Sequence, residues 1–374
     1  VTELGFAVVG CGMIGRQHAE VISGRAGTRL AALVDVDPAR AEAVADHVVQ
    51  ACGGDRPPVF TTLEDALARP DVDAVSVCVP SGLHADIAVP ALAAGKHTVV
   101  EKPIDVTVGA ARRVAEAAAA AGDGVVTAVI SQHRFDPGSQ VVHRAIADGR
   151  LGRLTSAVAS LAWWRGQDYY DSGDWRGTWA LDGGGALMNQ GVHTLDLLLW
   201  FLGRPVQVHA RTGLLAHERV EVEDTLVATL EFADGALATL HATTAAYPGV
   251  SARLQVHGTR GSAVLDNDEL VYFHAAREGE VVDPYGATGS GNQAESELAA
   301  VGGAAPLDLV SAQARQYDDI VDAIATGRPP LVGIEQGVLA LATVRAVYES
   351  ARTGLPVLVD DVLAEVPSAS GVAR

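Results

Sequence analysis

The chain has 374 residues, 48 % of them apolar, which is enough for two domains with full cores. Its formal net charge of −19 disfavours nucleic acid and anionic membrane surfaces as partners, because both repel an acidic protein. No run of about eighteen uncharged apolar residues is available to span a bilayer, the opening VTELGFAVVG lacks the basic segment of a secretory signal, and the three scattered cysteines (Cys11, Cys52, Cys78) form no CxxC pair, so a cytoplasmic protein with reduced thiols and no zinc site is expected.

The first 130 residues alternate short apolar runs with Ala-rich amphipathic stretches. Runs at 6–10, 30–36, 74–80, 97–101 and 125–131 predict strands, and stretches at 14–24, 38–50, 82–94 and 107–121 predict helices between them. Strands separated by helices imply βαβ units and a parallel, doubly wound sheet. Unbroken apolar strands fit a sheet covered on both faces.

The first βα turn is Gly10-Cys11-Gly12-Met13-Ile14-Gly15, a GxGxxG that follows a strand and opens a helix, as a dinucleotide fingerprint requires. Gly10 allows the tight turn, Gly12 lets a pyrophosphate approach the backbone, and Gly15 lets helix and strand pack closely. Met13 and Ile14 begin the helix whose N-terminal N–H groups would face the phosphates. Asp35 ends the second strand, twenty residues after Gly15, where an acid would bond a ribose 2′-OH. A structural turn with a coincidental acid is the competing reading. Asp35 would repel a 2′-phosphate and no Arg follows it directly (Arg40 is five residues on), so NAD is expected over NADP. Residues 1–130 thus read as a Rossmann NAD-binding domain, followed by a second domain over 131–374.

Ligands of doubly wound sheets bind outside the carboxyl ends of the strands. Pro80, Ser81 and His84 stand at that end of the fourth strand, and Glu101-Lys102-Pro103 at that of the fifth. There Lys102 would be a point charge or a titrating acid/base, unless it is a solvated lysine capping a strand. His84 lines the cofactor cleft or is an ordinary helix-start residue.

From 131 the pattern changes. SQHRFDP (131–137) brings Gln132, His133 and Arg134 toward a cleft, although Arg134 equally suits a structural ion pair. A helix near 138–149 is followed by runs at 154–164, 205–213, 224–232, 235–245, 251–259, 261–266 and 269–275, which predict a mostly antiparallel sheet. WWRGQDYYDSGDWRGTWALD (163–182) holds four of the five tryptophans, with side chains that stack on and bond to sugars. Its Asp168, Tyr169 and Tyr170 are substrate-loop candidates, against an amphipathic cover on the sheet. GGGALMNQGVHTLD opens a long helix over 183–202, packed on that sheet, with Asn189, His193 and Asp196 along one stripe. Asp196 would orient the His193 imidazole or bond backbone, and a satisfied core histidine is the plain alternative for His193. The stretch 284–305 reads as a loop, and helices are predicted at 309–326 and 334–352. No His/Cys/Asp/Glu group has metal-ligand spacing, so no metal is expected.

Together GxGxxGxxHA (Gly10–Ala19), the EKP at 101–103, GGGALMNQGVHTLDLLLWFLG (183–203) and TVRAVYESARTGLPVLV (343–359) resemble the glucose–fructose oxidoreductase / inositol dehydrogenase (Gfo/Idh/MocA) family, in the right order over nearly the whole chain. The resemblance implies an α/β fold: a Rossmann domain plus an α+β domain with a large, open, mostly antiparallel sheet, often used for homodimers or homotetramers. It implies NAD(P)-dependent hydride transfer at a secondary alcohol or ketone of a sugar, glycoside or cyclitol. Lys102 and His193 match the family's acid/base residues, and Trp175-Arg176 a pair placed near the nicotinamide. Many relatives carry Asp four residues before the histidine; Asn189 stands there and cannot take a proton. Lys102 and His193 would then flank the reacting oxygen, Asn189 would bond a neighbouring hydroxyl, and Gly183–Gly185 would let the chain run close to the cofactor. A non-catalytic NAD(P)-binding regulator and a glycosidase or lyase with a transient redox step are the other readings.

Overall fold

The computed structural model describes residues 3–277, 279–280, 291–303 and 308–364. Six strands, β1 (Leu4–Val9), β2 (Thr28–Val34), β3 (Val59–Phe60), β4 (Ala74–Val77), β5 (His97–Val100) and β6 (Thr127–Val129), form a parallel sheet in the order β3-β2-β1-β4-β5-β6. Phe6 and Val8 on one face of β1 and Ala7 and Val9 on the other are all buried, as a sheet covered on both sides demands. The strand order reverses beside β1, and the crevice there opens at the carboxyl ends of β1 and β4. The two-residue β3 and the short helix Leu63–Leu67 are too brief to leave a periodic signal, and the sequence reading passes over both.

The second sheet has eight strands: β7 (Leu154–Ala162), β8 (Pro205–Gly213), β9 (Thr225–Phe232), β10 (Leu237–Thr243), β11 (Ala252–Gly258), β12 (Gly261–Asp266), β13 (Glu269–Ala275) and β14 (Val357–Leu358). Their order is β13-β12-β11-β7-β10-β9-β8-β14, antiparallel throughout except for β7 with β10. Side chains alternate between the two faces. One face is buried, and the other leaves Val158, Val227 and Leu237 exposed.

Three expectations along the chain are corrected. Within 284–305, the segment Ala294–Ala300 is helical and packs on β13, its alanines and glutamates being good helix formers; residues 284–290 and 304–305 lie outside the described ones. Residues 183–202 are not one helix either. Gly183 is left-handed (φ +79°), Ala186–Gly191 wind as a π-helix, and the α-helix proper is Val192–Leu202. Nor do the three glycines clear a path for the cofactor. A Cβ would come within 2.5 Å of Val106 at Gly183, 2.2 Å of the Tyr348 hydroxyl at Gly184 and 1.7 Å of the Glu223 carbonyl at Gly185. Close packing against the protein itself is what requires them.

The last helices tie the two sheets together. Tyr317, on Leu309–Thr326, is wholly buried against Phe6 and His18 of the first sheet's layer. On Ile334–Thr353, Gly337 lies against Val129 of β6, while the Ser350 hydroxyl accepts from the Ala210 N–H of β8.

Candidate active site and cofactor cleft

One cavity of about 850 Å³ runs from the glycine loop to the second sheet. Gly10, Gly12, Met13, Ile14 and Asp35 line one end, Pro80, Ser81, His84, Glu101 and Lys102 the middle, and Gln132, Trp175, Arg176, Asn189 and His193 the far wall. Gly15 stands behind the wall, where a Cβ would meet the Gly10 carbonyl at 1.8 Å.

The glycine loop fits a dinucleotide. No side chain caps the helix Met13–Ser23, and a Cβ built on Gly12 would meet nothing within 4 Å, so open space lies over the helix N-terminus. Its unpaired N–H groups and partial positive charge suit phosphate. The Asp35 carboxylate accepts from the Cys11 N–H (2.7 Å) and the Asp37 N–H (2.9 Å), which holds it at the mouth of β2 beside the loop.

Lys102 follows β5 by two residues and donates from Nζ to the backbone carbonyl of Asn189 at 3.0 Å. The chain has twenty-five arginines and only two lysines, Lys96 and Lys102. Lys96 bonds the Val72 carbonyl outside the cleft, so Lys102 is the lysine that reaches the cavity. Unlike an arginine it can give up its proton, and burial pushes it toward doing so: its pKa is lowered by desolvation, against the opposing pull of Glu101 and Asp182. The His193 imidazole makes no hydrogen bond to any described residue. Burial, Lys102 and His133 together hold its pKa well below the usual histidine value, so it is a neutral imidazole facing the cavity.

His133 packs edge-on against His193, with ring centroids 5.1 Å apart. Its Nδ1 lies 2.9 Å from Asp136 and 3.1 Å from Asp268. Burial alone would favour the neutral ring, but the two carboxylates outweigh it and raise its pKa to about 10. Sequence spacing did not show this grouping of His133, Asp136 and Asp268, whose ligand-type atoms lie within 4.8 Å of one another. With Arg315 also paired to Asp136, its charges are already balanced by protein groups.

Residues 4–129 match the model of the oxidoreductase family with an NAD-binding Rossmann fold, and residues 139–264 match the GFO/IDH/MocA C-terminal domain. The inositol 2-dehydrogenase of Rhizobium meliloti is 30 % identical over 276 residues, 72 % of this chain and 78 % of its own length. The chain belongs to the Gfo/Idh/MocA oxidoreductases. The 1,5-anhydro-D-fructose reductase of Ensifer adhaerens is likewise 30 % identical over 302 residues, covering 79 % of this chain and 82 % of that one. The WlbA dehydrogenase of Bordetella pertussis, solved with NADH and UDP-GlcNAcA, superposes with a TM-score of 0.80 at 29 % identity, covering 96 % of this chain and 98 % of that one.

For this Gfo/Idh/MocA chain, several residues named from sequence do not reach the cavity. Arg134 is buried in a two-pronged ion pair with Asp196 (2.6 and 2.7 Å), so it is structural and not a substrate ligand. Asp196 also takes the Ser131 hydroxyl and therefore does not orient His193. Tyr170 is buried with its hydroxyl on Thr244, and Asp168 is exposed to solvent away from the cleft; the neighbouring Tyr169 lines the cavity in their place. His84 touches the wall, but both ring nitrogens are bonded to the backbone carbonyls of Pro103 and Val79, so it braces the rim.

Asp182, Glu223 and Arg165 were not singled out from the sequence. Asp182, 2 % exposed, accepts the Asn189 Nδ2 at 2.6 Å and the Gly177 N–H at 2.8 Å. Glu223 accepts the N–H groups of Gly185 and Leu187 and the Tyr348 hydroxyl, which anchors the entry to the π-helix. Arg176 stacks on Trp175 and Tyr169, and Arg165 on Trp163 and Tyr169. The run of Trp, Tyr and Arg at 163–176 was the available signal for these stacks; nothing in the spacing marked Asp182 or Glu223.

Proposed function

We propose that the protein is an NAD-dependent oxidoreductase acting on a secondary alcohol or ketone of a sugar, glycoside or cyclitol, with Lys102 and His193 as its acid/base pair. The observation that carries this reading is a single cavity bounded by the glycine loop, Asp35 and these two titratable side chains. Relatives named for inositol and 1,5-anhydro-D-fructose, and a structural neighbour bound to UDP-GlcNAcA, support a polyhydroxylated substrate. The stacked Tyr169 and Trp175 offer such a ligand flat apolar faces. The exposed Val158, Val227 and Leu237 face of the second sheet would be covered in a homodimer or homotetramer.

Bound NAD supplies the acceptor or donor of hydride. The chain's task is the proton. Charge on Lys102 disfavours charge on His193, so the proton of the pair is held on Lys102. In oxidation the unprotonated pair takes the hydroxyl proton; in reduction the Lys102 ammonium donates to the carbonyl oxygen. Asn189, on the same wall, bonds a neighbouring hydroxyl. The test is NADH formation at 340 nm over a panel of inositols, hexoses, glycosides and nucleotide sugars; failure of every member in both directions would overturn the reading.

A pH dependence follows from the lowered Lys102 pKa. Oxidative kcat/KM should rise with pH as the ammonium is lost and level off below the ordinary lysine range. Lys102→Arg, which cannot deprotonate, should abolish that rise. For the cofactor, Asp35→Ser combined with Val36→Arg should improve NADP use relative to NAD, since Val36 is 92 % exposed and free to present a cation to a 2′-phosphate. A preference for NADP in the unaltered protein would contradict the role given to Asp35.

A further inference from the structure

We propose that Asp182 is a positioning residue of this site: its carboxylate locks the Asn189 amide in one orientation and, together with Glu101, opposes the buried charge of Lys102. The inference rests on the reaction proposed above and extends it to a residue outside the cavity wall.

An ionised carboxylate only accepts hydrogen bonds, so the Asn189 Nδ2 must face Asp182, as the 2.6 Å contact has it. The amide oxygen is thereby turned away. It receives no hydrogen bond from the described residues and is not sealed in the interior. Because Asn189 lines the cavity, its Oδ1 is a fixed acceptor for a substrate hydroxyl. The backbone of the same residue holds Lys102 Nζ at 3.0 Å. One residue thus joins the buried acid to the titrating lysine.

The charged and titratable groups that act on Asp182 and Lys102 are Arg176 in the loop before the glycines, Glu101 beside Lys102, and Tyr169 and His193 on the cavity wall. Burial raises the Asp182 pKa to about 6, against the Gly177 N–H and the cations Lys102 and Arg176, so the carboxylate is ionised at neutral pH and above. The substitution Asn189→Asp would set two carboxyl groups at hydrogen-bond distance, where one of them must stay protonated. Asn189 thus fits an active site whose negative charge stands one step further back.

Two measurements test this. The first is kinetic, with the best substrate of the panel. Asp182→Asn keeps the shape but sets one amide nitrogen against another, so Asn189 must flip and present a donor to the cleft. Loss of that charge-assisted bond should lower kcat/KM by about 10- to 100-fold, mostly through KM, with NADH binding retained. Asn189→Asp should also lose activity, and the exchange Asp182→Asn with Asn189→Asp, which restores one acid and one amide, should recover most of it. An exchange no better than the worse single variant would overturn the proposal.

The second measurement needs no substrate. Protein labelled with 13C-lysine gives two side-chain signals, with Lys96 as internal reference. Asp182→Asn should move the Lys102 titration midpoint down, while Asn189→Asp, whose two carboxyl groups share one proton, should leave it near its original value and Lys96 stays fixed. A Lys102 midpoint unmoved in Asp182→Asn would refute the counter-charge. Inactivity of the unaltered protein on every sugar would instead count against the proposed reaction and leave this readout intact.

Discussion

Lys102→Met is expected to lower kcat by about 10²–10⁴, the usual contribution of a positioned acid/base group. Methionine keeps the length and apolar stem but cannot move a proton. The dinucleotide end of the cavity is built from Gly10, Gly12, Met13 and Asp35 and makes no use of the ammonium. NADH affinity, followed by nicotinamide fluorescence, should therefore stay close to that of the unaltered protein. Retained turnover in both Lys102→Met and His193→Ala would remove the acid/base pair from the reaction. Loss of NADH binding in Lys102→Met would give the lysine a cofactor role in place of a chemical one.

The largest stability effect is expected at Asp196, three residues after His193 and on the side of the helix turned from the cleft. Its carboxylate is the partner of the Arg134 guanidinium, and both side chains are almost fully buried, at 8 % and 5 % exposure. Asp196→Ala leaves that guanidinium in the interior with no carboxylate opposite it, which costs about 3–5 kcal/mol. Stacking of Arg134 over Trp200 at 5.5 Å does not replace the lost charge. Urea unfolding should show the loss as an early transition. The double change Arg134→Met with Asp196→Leu removes both charges and should recover much of it. An Asp196→Ala protein as stable as the parent but slow in catalysis would instead return Asp196 to the orienting role that its spacing from His193 first suggested.

The contrast between Lys102 and Arg134 shows how the sequence could be read and where it misled. Both stand just past a strand of the first sheet, and both are cations on the rim where ligands bind. Lys102 is followed by proline, and the acid three residues on, Asp105, is turned to the N–H groups of Ala85 and Val106, so the partner of Lys102 is the backbone of Asn189, 87 positions on. Arg134 finds its acid 62 positions away, at Asp196. Neither distance has any trace in local periodicity. The same holds for His133, which meets Asp268 only because the turn between β12 and β13 folds back over it. Asp182 was hidden differently. It precedes the glycines in a loop, where acids are commonplace, and only its burial beside Asn189 distinguishes it.

The stripe of Asn189, His193 and Asp196 illustrates the limit most directly. A regular helix would set all three on one face. The π-helical turns over Ala186–Gly191, held at their start by Glu223 and by glycines packed on Val106 and Tyr348, set Asn189 relative to His193, whereas His193 and Asp196 both lie on the regular helix, three residues and so about 60° apart around its axis. Asn189 and His193 then face the cavity, and Asp196 faces Arg134.

What the sequence determined by itself is what short-range physics encodes. Unbroken apolar strands between amphipathic helices require a covered parallel sheet, successive strand runs with no helices between them predict a mostly antiparallel one, and a GxGxxG opening a helix makes a phosphate cradle from backbone alone. What tertiary structure decided is which charge meets which. A buried ionic group must find its partner wherever the packed chain presents one, and that choice set Asp196 aside for Arg134, Asp268 for His133 and Asp182 for the Asn189 amide.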